Sequence, residues 1–300
     1  MQVYPNTPCS RKPSPKCKLR LLDQHFPALH SENDGHIFLA LAKVEKDLLT
    51  SNYHTTAINA IYGARVTMGA EGLGRYDKCR NFKGDRKMYD EIKAKFQEIG
   101  IIPVVVLEDA KDAKALGEAL MKGGLPAAEV TFRTDAAEEA IRIMAKEFPD
   151  MLVGAGTVLT CEQADRAMAA GAKFIVAPGF NPKVVNYCIE KGYPVCPGVQ
   201  TPGEMEQAME LGLDFVKFFP AEPAGGLPMI KAVAAPYTKL NFMPTGGINK
   251  DNVRDYLKCN RIVACGGTWM VKGDMIASGD FEKIETLTHE AADIVKEVRA

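Results

Sequence analysis

The chain has 300 residues, 46 % of them hydrophobic and 25 % charged, with a formal net charge of −1. Such a composition describes a soluble chain with one large core or two smaller ones, and it excludes disorder over most of the length. A charge this small gives no general field for nucleic acid or an anionic membrane, so an anion has to be bound by local geometry and the expected partner is a small molecule.

The longest apolar runs, such as IIPVVVL at 101–107, are far too short to cross a bilayer, and the first thirty residues hold no continuous apolar stretch of the secretory type. A cytoplasmic protein without a membrane partner is expected. The eight cysteines, at 9, 17, 79, 161, 188, 196, 259 and 265, form no CxxC pair and no metal-ligand spacing. Reduced and mostly buried thiols are therefore expected rather than disulfides or zinc.

In chain order, residues 1–87 open with YPNTPCSRKPSPKCK, hold four of the five histidines, and show one helical pattern, GHIFLALAKVEKDLL. No motif there carries a mechanism. At Met88 the pattern becomes regular: MYDEIKAKFQEIG predicts an amphipathic helix ended by Gly100. Short apolar strands are then predicted at 101–107, 126–131, 151–154, 173–177, 194–197, 214–219, 240–244 and 262–265. Helices are predicted near 110–122, 135–147, 161–170, 182–191, 202–211, 226–234, 249–257 and 281–298. About eight βα units in roughly 210 residues predict a (β/α)8 TIM barrel, not an open doubly wound sheet. The expected organisation is an N-terminal extension over 1–87 and one barrel domain over 88–300. The extension has two readings: an appended segment with its own role, or a start assigned too early, with Met88 as the true start. The second is preferred, since KGDRKM at 83–88 can be encoded by a purine-rich stretch of ribosome-binding type.

Parallel strands between a barrel interior and a helical layer are apolar on both faces, which makes their polar exceptions informative. In AAEVTFRT, alternation puts Glu129 and Thr131 on one face, and Arg133 follows the strand end. A plain Glu129–Arg133 structural pair is one reading; a proton-moving carboxylate at the mouth of the barrel is the other. In DFVKFFPAE, Phe215, Lys217 and Phe219 share a face. A lysine pointing inward there is disfavoured as a cation by desolvation, which is how a lysine becomes a nucleophilic amine for a carbonyl. Its bland alternative is an ion pair with Glu129 or Glu222, and pairing does not exclude catalysis. At further strand ends, Gly154 and Gly156 of GAGT leave room for a ligand at the backbone or mark only a tight turn, Thr157 offers a hydroxyl, and Pro178 in APGF fixes the chain at the rim. TPGE at 201–204 reads as a helix start with Thr201 as N-cap, Pro202 at N1 and Glu204 at N3. PTGGI and ACGGTW place Gly246–Gly247 and Gly266–Gly267 one βα unit apart, after strands seven and eight, where such barrels usually bind phosphate. The barrel region contains only His289, so zinc-dependent or histidine-driven chemistry lacks its residues, while lysine chemistry remains.

EVTFRT, VGAGTVL, APGF, FKFFPAE, PTGGI and GGTW, in this order, resemble the KDPG/KHG aldolase family, from about Met88 to Ala300. KDPG is 2-keto-3-deoxy-6-phosphogluconate, and KHG is 4-hydroxy-2-oxoglutarate. The resemblance implies a lyase releasing pyruvate, by cleavage of KDPG to pyruvate and glyceraldehyde 3-phosphate in the Entner–Doudoroff pathway, with KHG as a second substrate. It implies Lys217 as the Schiff-base lysine and Glu129 as the general acid and base. It also implies Arg133, Thr157 and Pro178 near the pyruvate carboxylate, Phe219 packed on the substrate, and Thr245, Gly246, Gly247, Gly266 and Gly267 around the phosphate. Thr268 stands where the family pattern has serine, and keeps the hydroxyl. A homotrimer with no metal and no organic cofactor is implied. Two other readings stay open at this point: a non-catalytic phosphosugar-binding barrel, and another phosphate-binding barrel enzyme such as an isomerase, which would not need Lys217.

Overall fold

The structure, a computed structural model, describes residues 86–300. The predicted helix GHIFLALAKVEKDLL lies outside the described residues, as does the 1–87 extension apart from its last two residues. Helix α1 (Arg86–Ile99) precedes β1 (Ile101–Val105). The chain then alternates through α2 (Ala113–Lys122), β2 (Ala127–Thr131), α3 (Ala137–Glu147), β3 (Leu152–Gly156), α4 (Cys161–Ala169), β4 (Ile175–Val176), α5 (Pro182–Lys191), β5 (Val195–Cys196) and β6 (Gly198–Val199). It continues with α6 (Pro202–Glu210), β7 (Phe215–Phe218), α7 (Gly226–Ala234), β8 (Asn241–Pro244), α8 (Val253–Leu257), β9 (Cys265–Gly267), α9 (Gly273–Ala277) and α10 (Phe281–Arg299).

All strand pairs are parallel, in the orders β5-β4-β3-β2-β1-β9 and β6-β7-β8. The two arcs meet through Pro197, which splits the fifth barrel strand into β5 and β6, and through the parallel bridges Phe242–Ile262 and Thr245–Gly266. Nine segments thus make the eight strands of the predicted (β/α)8 barrel. Every residue of β1, β2 and β3 is buried, as strands covered on both faces require. The helices bury one stripe only. On α3 it is Ala137, Ala140, Ile141 and Met144, at helical spacing, with Glu138 and Glu139 in the first turn. The start of α6 is the predicted capping box, with Thr201 and Glu204 exchanging side-chain and backbone hydrogen bonds.

Helix α1 packs against residues from the fourth, fifth and sixth barrel strands, at their N-terminal ends. Phe96 meets Phe174 edge-on at 4.8 Å and Phe215 at 5.4 Å, and the Tyr89 hydroxyl donates to Val195 O at 2.5 Å. Ahead of Met88, Arg86 donates to Gly212 O at 2.8 Å and pairs with Asp214 at 3.0 Å, a carboxylate it shares with Lys93.

Among the boundaries that differ from expectation, three lie near the barrel mouth. Strand three runs on to Gly156, pairing it with Thr131. The eighth barrel strand sits at Cys265–Gly267 because Ile102 and Pro103 pair with Gly266 and Gly267. Helix α8 starts only at Val253 because asparagine side chains capture the preceding turn: Asn252 Oδ1 accepts from Asn249 N at 2.9 Å, and Asn249 Oδ1 from Asp251 N at 2.8 Å.

Candidate functional site

Among the described residues, Glu129 on β2 and Lys217 on β7 are the two buried ionisable acid and base side chains. Lys217 Nζ lies 3.2 Å from Glu129 Oε1, with side chains 6 % and 0 % exposed, although 88 residues separate them in sequence. Alternation explains the meeting: Val216 and Phe218 pack outward while Lys217 turns inward, and Glu129 turns inward between Ala128 and Val130. The Glu129–Arg133 pair considered from sequence is not formed. Arg133 is exposed on the rim and donates from Nε to Thr157 Oγ1 at 3.3 Å. Glu222 does not pair with Lys217 either; its Oε1 accepts from the Tyr256 hydroxyl.

The lysine amine also stands 5.4 Å from the centre of the Phe219 ring. The buried Cys196 thiol, in electrostatic reach of both groups, is pushed above the ordinary cysteine range by burial, with Lys217 pulling down and Glu129 pushing up. The thiol therefore stays neutral and adds no third charge. Gly156 makes room for the carboxylate: a Cβ there would stand 2.2 Å from Glu129 Oε1. Thr131 donates to Val105 O at 2.9 Å and ties β2 to β1 just above Glu129.

Among the described residues, three buried oxygens lack a hydrogen-bond partner: the second oxygen of Glu129, the Thr245 hydroxyl and, away from the mouth just ahead of β7, Asp214 Oδ1. Buried polar groups are almost always bonded, so two unpartnered oxygens inside one barrel mouth mark groups that meet a ligand. Thr157, next on the rim, has φ 54°, a left-handed conformation unusual for a β-branched residue. Strained residues of this kind cluster at functional sites. Pro178 comes close because Gly198 has no side chain: a Cβ at 198 would meet Pro178 O at 2.1 Å.

The two glycine pairs separate in the structure. Gly246 and Gly247 form a turn after β8 with φ of 99° and 82°, backbone that favours glycine. Gly266 and Gly267 are strand residues of β9, not a loop as expected. Their missing side chains are explained by packing, since a Cβ would stand 2.3 Å from Thr245 Oγ1 at Gly266 and 2.1 Å from the Trp269 indole at Gly267. Thr268 follows them, exposed at the rim. Sequence reasoning missed Gly156 as the seat of Glu129. In sequence terms GAGT offers a ligand approach or a tight turn, and neither points to a neighbouring side chain.

Fold and site together define a (β/α)8 lyase of the lysine-dependent aldolase class. Residues 92–287 match the family profile described as KDPG and KHG aldolase, and the chain belongs to that family. It is 50 % identical over 199 residues to the 2-dehydro-3-deoxy-phosphogluconate aldolase of Treponema pallidum (strain Nichols), covering 66 % of this chain and 95 % of the relative. The Haemophilus influenzae (strain ATCC 51907 / DSM 11121 / KW20 / Rd) enzyme of the same name is 48 % identical over 206 residues, 69 % of this chain and 97 % of the relative. Among solved structures, the KDPG aldolase from Legionella pneumophila with pyruvate captured at low pH as a covalent carbinolamine is similar with a TM-score of 0.64 and 37 % identity. The match covers 66 % of this chain and 96 % of that one.

Proposed function

We propose that this chain cleaves 2-dehydro-3-deoxy-6-phosphogluconate to pyruvate and glyceraldehyde 3-phosphate through a Schiff base on Lys217, with Glu129 as the proton carrier. One observation carries the reading: a buried amine 3.2 Å from a buried carboxylate, at the mouth of a (β/α)8 barrel. The carbinolamine captured with pyruvate in the Legionella pneumophila relative supports it.

Each step follows from the chemistry of these groups. Neutral Lys217 Nζ adds to the C2 ketone to give a carbinolamine, which loses water to form a protonated imine. Glu129 takes the proton of the C4 hydroxyl, directly or through water, as the C3–C4 bond breaks. The bond's electron pair moves into the iminium as an enamine, and the aldehyde leaves as glyceraldehyde 3-phosphate. Glu129 then returns a proton to C3, and water hydrolyses the imine to free pyruvate and Lys217. A carboxylate already in hydrogen-bond reach of the amine is placed for both proton transfers.

Arg133 beside Thr157, with Pro178, is assigned to the pyruvate carboxylate, and Phe219 to the face of the bound substrate. Thr245, the Gly246–Gly247 turn, Gly266, Gly267 and Thr268 are assigned to the phosphate end, where remote binding energy orients the reacting end. Homotrimeric assembly and a cytoplasmic location belong to the same proposal. The family resemblance supports both; among the described residues no helix is long and apolar enough to cross a membrane.

The test is pyruvate release from KDPG, from its unphosphorylated and epimeric analogues, and from 4-hydroxy-2-oxoglutarate. The highest kcat/KM is expected on KDPG. A higher value on an unphosphorylated compound would favour a related pyruvate aldolase with a different aldehyde preference, and binding without turnover would favour a non-catalytic barrel.

A further inference from the structure

Glu222 is a charged residue of the DFVKFFPAE stretch that the reaction does not use. It lies just after β7, where three segments meet. Ala221 N donates to Thr245 O at 2.8 Å and Glu222 N to Gly246 O at 3.0 Å, so the backbone beyond β7 is bonded to the glycine turn beyond β8. Gly247 presses on the Glu222 side chain: a Cβ at 247 would stand 2.5 Å from Glu222 Cβ and 2.7 Å from its Cγ. From α8, the buried Tyr256 donates its hydroxyl to Glu222 Oε1. Burial, reinforced by this hydrogen bond, pushes the tyrosine above its ordinary range, so it stays a donor at any physiological pH.

The far side of the same turn is held as well. The Gly247 carbonyl accepts from Asn252 Nδ2 at 3.0 Å and Asn249 Nδ2 at 3.3 Å. The turn is thus clamped between a carboxylate fixed by a tyrosine and two asparagine amides. A charge that served only solubility would not be hydrogen-bonded to a buried hydroxyl, nor would a glycine be packed on its stem.

We propose that Glu222, fixed by Tyr256, is a positioning residue that braces the Gly246–Gly247 turn for the substrate phosphate and so sets the preference for phosphorylated over unphosphorylated substrates. This rests on the assignment of the phosphate to that turn. A carboxylate that only repelled the nearby phosphate would have the opposite effect. The two effects predict opposite signs, and the experiment separates them.

Inorganic phosphate is titrated by calorimetry, and by fluorescence of Trp269, the chain's single tryptophan, which lies against Gly267. Glu222→Ala is expected to weaken phosphate binding and raise the KM for KDPG, each about tenfold, with kcat changed by less than about twofold. Its kcat/KM on unphosphorylated 4-hydroxy-2-oxoglutarate should stay within about twofold of the parent protein. Tyr256→Phe should move in the same direction. Glu222→Gln should retain most of the affinity, because an amide oxygen still accepts from Tyr256 and the stem still packs on Gly247. Equal losses on both substrates, unchanged phosphate affinity, or tighter phosphate binding in Glu222→Ala would overturn the proposal. Failure of the parent protein to trap pyruvate with borohydride, with phosphate binding intact, would reject the aldolase reading and leave this one standing.

Discussion

Replacing Gly156 with alanine perturbs the site by a single methyl group. The backbone at 156 is not among the positive-φ positions, so alanine can adopt it and the effect is steric. Its Cβ would stand 2.2 Å from Glu129 Oε1, 2.5 Å from Cγ and 2.7 Å from Cδ, where ordinary contact begins at 3.4 Å. The carboxylate therefore has to retreat by about 1 Å in a packed interior, which removes its 3.2 Å contact with Lys217. Displacements of about 1 Å in a reacting constellation cost about 100-fold in rate, or about 2.7 kcal/mol of transition-state stabilisation. The overpacking itself costs about 1–3 kcal/mol, at about 2–4 °C of Tm per kcal/mol. Pyruvate release coupled to lactate dehydrogenase is the assay, with Gly203→Ala on α6 as the control, since a Cβ at 203 meets nothing within 4 Å. The variant should fold, lose about two orders of magnitude in kcat/KM, and still trap pyruvate slowly on Lys217. Activity within about threefold of the parent would refute the reasoning that the position of Glu129 limits the reaction.

Glu129→Gln keeps the shape but cannot take up a proton, so cleavage should fall by about 100- to 10,000-fold while the pyruvate imine still forms; equal loss of both would contradict the assigned role. Thr201→Ala removes the N-cap of α6 and should cost about 1 kcal/mol, seen as a Tm lower by about 2–4 °C at unchanged kcat. Burial raises the Glu204 carboxyl, but hydrogen bonds from the Gln200 and Thr201 N–H groups and the Thr201 hydroxyl outweigh it and hold the group below its ordinary value. Its stabilising contribution is thus complete above the ordinary glutamate value of about 4.3 and is lost as pH falls through the lower folded value; Glu204→Gln should flatten that acid limb of Tm against pH. Arg86→Ala should lower Tm by no more than about 4 °C, because the pair with Asp214 is over a third exposed on the arginine side and Lys93 remains.

Lys217 and Glu129 were legible in the sequence because a charge inside an apolar parallel strand has few explanations, and period-two alternation gives its direction. The barrel was legible because about eight strand–helix units follow one another in roughly 210 residues, and the Thr201 cap because capping chemistry is local. Partners set by long-range approach were not legible. Glu129 had two candidate partners in sequence terms, and only the closed barrel selects Lys217 over Arg133. Gly156, Gly266 and Gly267 also have a packing reason that sequence does not show: their missing side chains make room for Glu129, Thr245 and Trp269. The eighth strand was placed too early because IVAC is its most apolar part, whereas the pairing with β1 falls on CGG. Helix 249–257 was drawn too long because periodicity does not register asparagines that bond the backbone of their own turn.

The most direct measurement of the central claim is borohydride reduction in the presence of pyruvate, followed by mass mapping of the tryptic peptides. A stable pyruvate adduct on Lys217, absent in Lys217→Ala together with KDPG cleavage, is the predicted result. An adduct on another lysine, or a Lys217→Ala variant that cleaves KDPG at the parent rate, would contradict it.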